Sequence, residues 1–181
     1  HVAAGRRSSP GLCSNGGTFR EGCVAEPEAD AECGATEPGQ VRINEVMIDG
    51  EPSEDEEFIE LVNVTDEPRS LRGLDVVSNR GHELARRIRF VEGCLPPRAA
   101  ITLYSDPDRW LVPLGVRDGL LVETEQFGFP NESDFDFRLY DYLGREIDRF
   151  EGEHSLVKPG VSVTRHPDRY GERLKRHNQV S

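Results

Sequence analysis

Apolar and polar residues alternate along much of the chain from Val41 onward, and this alternation predicts β-strands. The segments V-R-I-N-E-V-M-I, which begins at Val41, and E-F-I-E-L-V-N-V, at 57–64, carry branched or apolar side chains at alternate positions. Such a pattern is typical of a sheet with one buried face. Seven to nine short strands bounded by Gly, Pro, Asn or Asp indicate an all-β sandwich. The further strands are predicted over Leu71–Val77, Ile88–Glu92, Ala100–Tyr104, Leu120–Glu123, Phe137–Tyr142, Glu146–Phe150 and Val161–Arg165.

The character of the chain changes near residue 40. Residues 1–40 contain few large apolar side chains and many Gly, Pro, Ser, Glu and Ala, so they cannot offset the entropy of ordering without cross-links. We therefore expect an irregular, cysteine-containing N-terminal extension over 1–40 and a sandwich domain over 41–181. Within that domain, the strands on either side of Leu143-Gly144-Arg145 are predicted to form a β-hairpin.

Four cysteines, Cys13, Cys23, Cys33 and Cys94, form an even set without a C-x-x-C pair. Because structural zinc sites usually place two ligands two to four residues apart, disulfides are favoured over metal or free thiols. Of the three possible connectivities we expect Cys13–Cys23 with Cys33–Cys94, since Cys33 precedes the first strand and Cys94 is the only cysteine inside the domain. The second bridge should contribute about 2–4 kcal/mol. Disulfides predict an oxidising compartment, and hence an exported protein.

Acidic residues outnumber basic ones, 34 against 22, which gives a formal net charge of −12. A chain this acidic repels a phosphate backbone on average, so we expect no sequence-specific DNA binding at physiological salt. Two basic clusters are nevertheless candidate phosphate-facing surfaces, although solvated faces that balance acidic loops would look the same. The clusters are Arg86, Arg87 and Arg89, and Arg165, Arg169, Arg173, Lys175 and Arg176.

Common hydrolase and zinc-binding motifs are absent from the sequence. The sequence has neither G-x-S-x-G nor H-E-x-x-H, and its histidines are scattered singly, so no enzyme, cofactor or metal is predicted. The acidic loop at 49–56 could bind calcium, but it lacks the D-x-D-x-D-G spacing of a known calcium loop and is equally well a solvated connection. No stretch approaches the roughly 18 apolar residues of a membrane span.

Glu45 and Glu60 stand in the first two predicted strands. Period-two counting places Glu45 on the face of Ile43 and Glu60 on the face of Phe58, so each carboxylate has apolar neighbours. Two nearby carboxylates could serve acid–base or glycosidase chemistry. Alternatively, an arginine such as Arg165 could hold one of them, because buried charges need partners.

Five short motifs occur in order along the domain, and together they resemble the lamin tail domain in the form found in exported bacterial proteins. They are I-N-E-V at 43–46, E-F-I-E-L-V-N at 57–63, S-L-R-G-L at 70–74, F-R-L-Y-D-Y-L-G-R-E-I-D at 137–148 and G-V-S-V-T-R-H-P-D at 160–168. The similarity covers roughly Val41 to Asn178. Leu74 stands where the family usually has Trp. The sequence ends at Ser181, near an expected Ser-Pro-Gly turn, which suggests that the natural chain continues.

The resemblance implies an immunoglobulin-like β-sandwich and favours a structural role for Glu60, as an ion-pair partner of Arg165. Bacterial members are attached to exported proteins as modules thought to serve adhesion or targeting. A nuclear lamin does not fit, since no heptad-bearing rod precedes the domain and the extension carries disulfides. We therefore expect a non-catalytic module of an exported or cell-envelope protein (bacterial periplasm, outer surface or extracellular) that binds a protein or envelope component. The alternatives are a nucleic-acid-binding accessory domain acting through the two basic clusters, and a carbohydrate- or calcium-dependent enzyme.

Overall fold

The computed structural model describes residues 33–51, 56–78, 86–104, 121–124, 129–130 and 133–177, with only the backbone at Arg86 and at 121–124. The described residues include β-strands and the 3-10 turn His154–Leu156, and no α-helix. The predicted all-β class is thus confirmed. The strands are β1 Val41–Met47, β2 Phe58–Asn63, β3 Arg69–Ser70, β4 Asp75–Ser78, β5 Arg86–Glu92, β6 Cys94–Leu95, β7 Ala100–Tyr104, β8 Leu121–Thr124, β9 Phe135–Tyr140, β10 Glu146–Gly152, β11 Val163–His166 and β12 Arg173–Arg176.

Two five-stranded sheets form the sandwich. The first sheet has the order β12-β11-β1-β2-β7, the second has the order β10-β9-β4-β5-β8, and β3 and β6 pair as a separate ribbon. Their strands pair antiparallel, and the predicted hairpin is present as β9–β10, with Phe150 opposite Phe137. This arrangement confirms the expected immunoglobulin-like β-sandwich. No helix in the described part of the chain has the length and apolar character needed to cross a membrane.

One hydrophobic core fills the space between the sheets. The first sheet contributes aliphatic side chains such as Ile59 and Leu61, and the second contributes phenylalanines such as Phe90 and Phe137. Leu74, at the position where the family usually has Trp, is 2% exposed and belongs to the same core. A smaller apolar side chain therefore fills that position without opening the core to solvent.

A β-bulge in β1 determines which side chains of this strand reach the core. The pairing of β1 with β2 shifts between Ile43 and Glu45, and Ile43 and Val46 are both fully buried. Because the bulge inserts one extra residue, Glu45 lies on the opposite face from Ile43. The period-two count that put these two residues on one face is wrong for that reason.

Cys33 and Cys94 form a disulfide, as predicted. Their Cα atoms lie 6.0 Å apart, within the usual range for a bridge. Part of the segment assigned to the extension also bonds to the sandwich, since the Gly39 amide donates to the Ile147 carbonyl over 2.9 Å. Cys13 and Cys23 lie outside the described residues, so their pairing stays a prediction, as does the domain boundary at residue 40.

Candidate binding groove

A row of polar side chains crosses all five strands of the first sheet. The strand registers place Lys175 opposite Thr164, Thr164 opposite Glu45, Glu45 opposite Glu60, and Glu60 opposite Thr102. The residues on either side of Glu60 in β2 belong to the core. Because side chains alternate between the faces of a strand, Glu60 and its row therefore lie on the outer face.

A groove with a volume of about 400 Å³ opens above this row. Glu45 and Glu60 line one side. Asp168 and Arg169 line another, on the loop that follows β11, and Lys175 approaches from the edge strand β12. The groove thus brings together groups of both charges from four strands and one loop.

Asn44, the residue at the β1 bulge, holds the groove together. Its Nδ2 donates to Glu60 Oε1 over 2.7 Å and to Asp168 Oδ1 over 2.9 Å, and its Oδ1 accepts from the Arg169 amide over 2.8 Å. Asn44 is 3% exposed, and these bonds use both of its N–H groups and its oxygen. The bulge therefore fixes both a groove carboxylate and the loop that faces it.

The loop after β11 closes tightly onto that strand at Gly171. A Cβ atom on Gly171 would lie 2.1 Å from both the carbonyl carbon and the oxygen of His166. The Gly171 amide donates to the Pro167 carbonyl over 2.8 Å. Only glycine fits this approach, and it keeps Asp168 and Arg169 in place beside Asn44.

Burial raises the pKa of Glu60 above its ordinary value. The neighbouring carboxylates of Glu45 and Asp168 raise this pKa further, whereas the hydrogen bond from Asn44 and the charge of Arg169 lower it. Like charges directly opposite each other on paired strands are destabilising, and no described cation forms an ion pair with Glu60. The ionised form of Glu60 therefore destabilises the folded state.

Glu45 has partners that Glu60 lacks. Its Oε1 lies 2.9 Å from His177 Nδ1 and also accepts a hydrogen bond from the Ser162 hydroxyl. Lys175, across the groove, has no partner among the described residues. The groove thus presents a carboxylate and an ammonium that form no ion pair with any described residue.

The expected ion pair between Glu60 and Arg165 does not form. Arg165 is 2% exposed and follows Thr164, which belongs to the outer row, so its side chain points to the opposite face from Glu60. Its Nη2 donates to Asp148 Oδ2 over 2.8 Å, and its guanidinium carbon lies 5.4 Å from the centre of the Phe150 ring. Arg165 is a structural ion-pair member as expected, but its partner is on β10.

Asp148 joins this arginine to β1. Its Oδ2 also accepts from the Ile43 amide over 2.8 Å, while Arg165 Nε donates to the Ile43 carbonyl over 2.7 Å. The Arg165–Asp148 pair thereby provides hydrogen-bond partners for both the amide and the carbonyl of Ile43, next to the bulge. Burial lowers the pKa of Arg165 and raises that of Asp148, and the attraction between the two groups opposes both shifts.

In the first basic cluster, a carboxylate contacts both arginines whose side chains the structure describes. Arg87 and Arg89 both approach Asp75 on the outer face of the second sheet, at 3.7 and 2.8 Å. They line an open cleft of about 590 Å³ together with Tyr140. Arg86, whose side chain is not described, stands one position from Arg87 in β5. Because Asp75 contacts both Arg87 and Arg89, these two side chains do not form an uncompensated cationic surface.

The second basic cluster is dispersed. Arg165 is buried in the sandwich, and Arg169 Nη1 donates to the Arg98 carbonyl over 2.8 Å. Arg176 donates to the carbonyls of Ser155 and, over 3.2 Å, Leu156. Arg173 and Lys175 remain exposed on β12. Only these two side chains keep the solvent-facing character that phosphate binding would require.

Metal binding finds no support in the described part of the chain. No group of three or more His, Cys, Asp or Glu side chains there is placed to hold an ion. Residues 52–55 of the acidic loop lie outside the described residues, so the calcium site considered for that loop is untested.

Replacing Glu60 by Gln should raise the free energy of unfolding near pH 7 by about 0.2–1 kcal/mol, the usual scale of a cross-strand charge contact. The folded-state pKa of Glu60 is raised above its ordinary value of 4.5. The cost of the carboxylate therefore appears as pH rises above that value and is absent below it. Denaturant unfolding near pH 7 and near pH 4 should show the gain only at the higher pH. A variant less stable than the wild type near pH 7 would show that Glu60 stabilises the fold after all.

Residues 34–154 match the family model of the Lamin Tail Domain. No curated protein matches the sequence. The matched region contains β1 to β10 and ends before β11 and β12, so it is shorter than the expected span from Val41 to Asn178. The loop and edge strand that complete the groove thus lie beyond the match. Since the match covers well over half of the 181 residues, the chain belongs to the lamin tail domain family.

Proposed function

We propose that this chain is a non-catalytic interaction module of an exported protein, and that the groove on the outer face of the first sheet binds its partner. Membership of the lamin tail domain family supports a non-catalytic module. The Cys33–Cys94 disulfide is compatible with an oxidising compartment outside the cytoplasm. The presence of Glu60 and Lys175, which have opposite charges and both line the groove, carries the proposal.

The partner that fits this groove is a protein surface with charges of both signs. A basic side chain placed between Glu45 and Glu60 would relieve the repulsion between two carboxylates that the fold leaves opposed. A carboxylate of the same partner could then reach Lys175 on the other side. Charged groups arranged in this way fix orientation and exclude wrong partners more than they add affinity.

Binding of the fluorescently labelled protein to a washed cell-envelope fraction of its source organism tests this proposal. The double variant Glu45→Gln/Glu60→Gln and the variant Lys175→Glu should each weaken binding about tenfold or more, equivalent to about 1.4 kcal/mol. Glu151→Gln is the matched control, because Glu151 is exposed in β10 of the other sheet.

Equal binding by the groove variants and the control would refute the groove as the binding surface. Binding that disappears when the fraction is treated with nuclease would instead favour the nucleic-acid alternative. In that case, replacing Arg173 or Lys175 should make the binding less steeply dependent on salt concentration.

A further inference from the structure

Two histidines are among the residues that line the groove. His166 ends β11 opposite Arg173, and His177 directly follows β12. The His177 amide donates to the Ser162 carbonyl over 2.8 Å, so the pairing of β12 with β11 continues through this residue. Both histidines are exposed. Histidine changes its charge between pH 5 and 8 more readily than any other side chain, so acidification over this range adds positive charge to the groove.

His177 contacts a carboxylate that a bound cation would need. Its Nδ1 atom lies 2.9 Å from Glu45 Oε1, and the Ser162 hydroxyl donates to the same oxygen. A neutral imidazole gives Glu45 a hydrogen bond but no charge, so the carboxylate stays negative toward a ligand. A protonated imidazole forms an ion pair with Glu45 instead. The other charged side chains on this face of β12 are Arg173 and Lys175. Protonation of His177 therefore compensates Glu45 from within the protein.

Glu60 responds to acidification in the same direction. Burial raises its pKa above the ordinary value, so it gains a proton at a higher pH than an exposed glutamate does. Glu60 lies directly opposite Glu45, and a cation held by the groove would lie between the two carboxylates. The groups that face Glu60 are Asn44 and Glu45 from β1, Thr102 from β7, and Asp168 and Arg169 from the loop after β11. Acid thus removes negative charge from both members of the pair.

The balance of charge along the described lining of the groove reverses across this pH range. With neutral imidazoles, three carboxylates face two cations, which are Glu45, Glu60 and Asp168 against Arg169 and Lys175. Arg165 also lines the groove, but its charge is paired with Asp148. When His166 and His177 are protonated, four cations face three carboxylates, and protonation of Glu60 removes one more negative charge. The lining therefore changes from net negative to net positive.

We propose that the groove is a pH-dependent binding site, which holds a cationic side chain of its partner at neutral pH and releases it on acidification. This regulation rests on the proposed function, which assigns partner binding to the groove. Protonated His177 competes with the partner's cation for Glu45, and the added positive charge repels that cation. Because binding and protonation are linked reciprocally, a ligand that favours the deprotonated groove must release protons when it binds.

Binding of the labelled protein to the washed cell-envelope fraction, measured near pH 7.5 and near pH 5.5 at constant ionic strength, tests the switch. Each proton released on binding changes the affinity by up to about tenfold per pH unit, so the wild-type dissociation constant should rise at least about tenfold at the lower pH. His166→Gln/His177→Gln should lose less than about threefold, because Gln can bond to Glu45 but carries no charge. His154→Gln, in the 3-10 turn outside the groove lining, is the matched control and should keep the wild-type change.

A fluorescently labelled tetralysine peptide supplies a defined cationic probe that stays charged at both pH values. The part of its binding that Glu45→Gln/Glu60→Gln removes is due to the groove. This part should be present near pH 7.5 and lost near pH 5.5. Denaturant unfolding at both pH values should confirm that each variant is folded.

The two probes separate the switch from the proposed function. If the peptide shows the expected loss but no form of the protein binds the envelope fraction, the envelope partner is refuted and release of the cation by the groove stands. Groove-dependent peptide binding that is equal at both pH values, or absent at both, would overturn the switch. So would equal losses of envelope binding by the wild type and by the double histidine variant.

Discussion

Replacing Arg165 by Met should lower the free energy of unfolding by about 3–5 kcal/mol, because the buried Asp148 carboxylate then keeps only its longer, 3.4 Å contact with Arg42 as an ion pair. The Asp148 side chain is only 8% exposed, so water cannot replace the guanidinium. Two of the lost bonds go to the carbonyls of Arg149 and Gly171, over 2.7 and 3.2 Å. Together with the bonds to Asp148, Ile43 and Glu172, they engage all five N–H donors of the arginine.

Arg173→Met is the matched control for this prediction. Arg173 lies on the paired strand β12, is exposed, and has no partner among the described residues, so its loss should change stability by less than about 0.5 kcal/mol. A double-mutant cycle of Arg165→Met with Asp148→Asn, followed by denaturant unfolding, isolates the pair itself. Equal effects of Arg165→Met and Arg173→Met would contradict the buried network.

Reducing the Cys33–Cys94 disulfide, or replacing both cysteines by Ser, should lower the free energy of unfolding by about 4 kcal/mol. The bridge joins residues separated by 61 positions, and the entropy of closing a loop of that length sets the estimate. Both ends of the loop lie on ordered structure, because Cys94 begins β6 and the adjacent Gly34 forms a bridge to Arg69. The loss should therefore appear as a cooperative change in the unfolding of the whole sandwich.

The Cys13→Ser/Cys23→Ser protein is the background for this measurement, since it removes the other two thiols and prevents exchange. Unfolding should be measured for three forms: this protein with the Cys33–Cys94 disulfide intact, the same protein after reduction, and a variant in which Cys33 and Cys94 are also replaced by Ser. We expect the reduced and serine forms to unfold at similar, lower denaturant concentrations. Unfolding that does not change on reduction, or alkylation of Cys33 and Cys94 in the unreduced native protein, would contradict the prediction.

Strand alternation and turn residues were enough to predict the class of fold and most of its strands. Ala100–Tyr104 was predicted at its observed bounds, and the β9–β10 hairpin was located within two residues. Strand β12 was not predicted, because R-L-K-R carries a single apolar residue and gives no period-two signal. Its strand character comes from pairing with β11, which one sequence does not reveal.

The groove and the buried ion pair each lie beside a β-bulge, and the bulge in β1 is why period-two counting misplaced Glu45. The bulge in β1 reverses the alternation after Asn44. A second register shift, between Glu146 and Asp148 of β10, accompanies the approach of Asp148 to Arg165. Alternation gives each residue's face only while the ladder is regular. Period-two counting singled out Glu45 and Glu60, and residue type together with the family resemblance suggested Arg165, but neither could establish which side chains pair.

The Cys33–Cys94 disulfide also determines how the domain bears mechanical load. Tension applied between the extension and the C-terminal part of the chain passes through the disulfide from Cys33 to Cys94. The segment between these two cysteines, which are 61 positions apart, therefore carries no load. Strands β1 and β2, which supply Glu45 and Glu60, lie inside the bypassed loop and cannot be pulled straight while the bridge is intact. Reduction would release a segment with an extended length of about 200 Å. The redox state of one bond thus sets whether β1 and β2 are shielded from force or exposed to it.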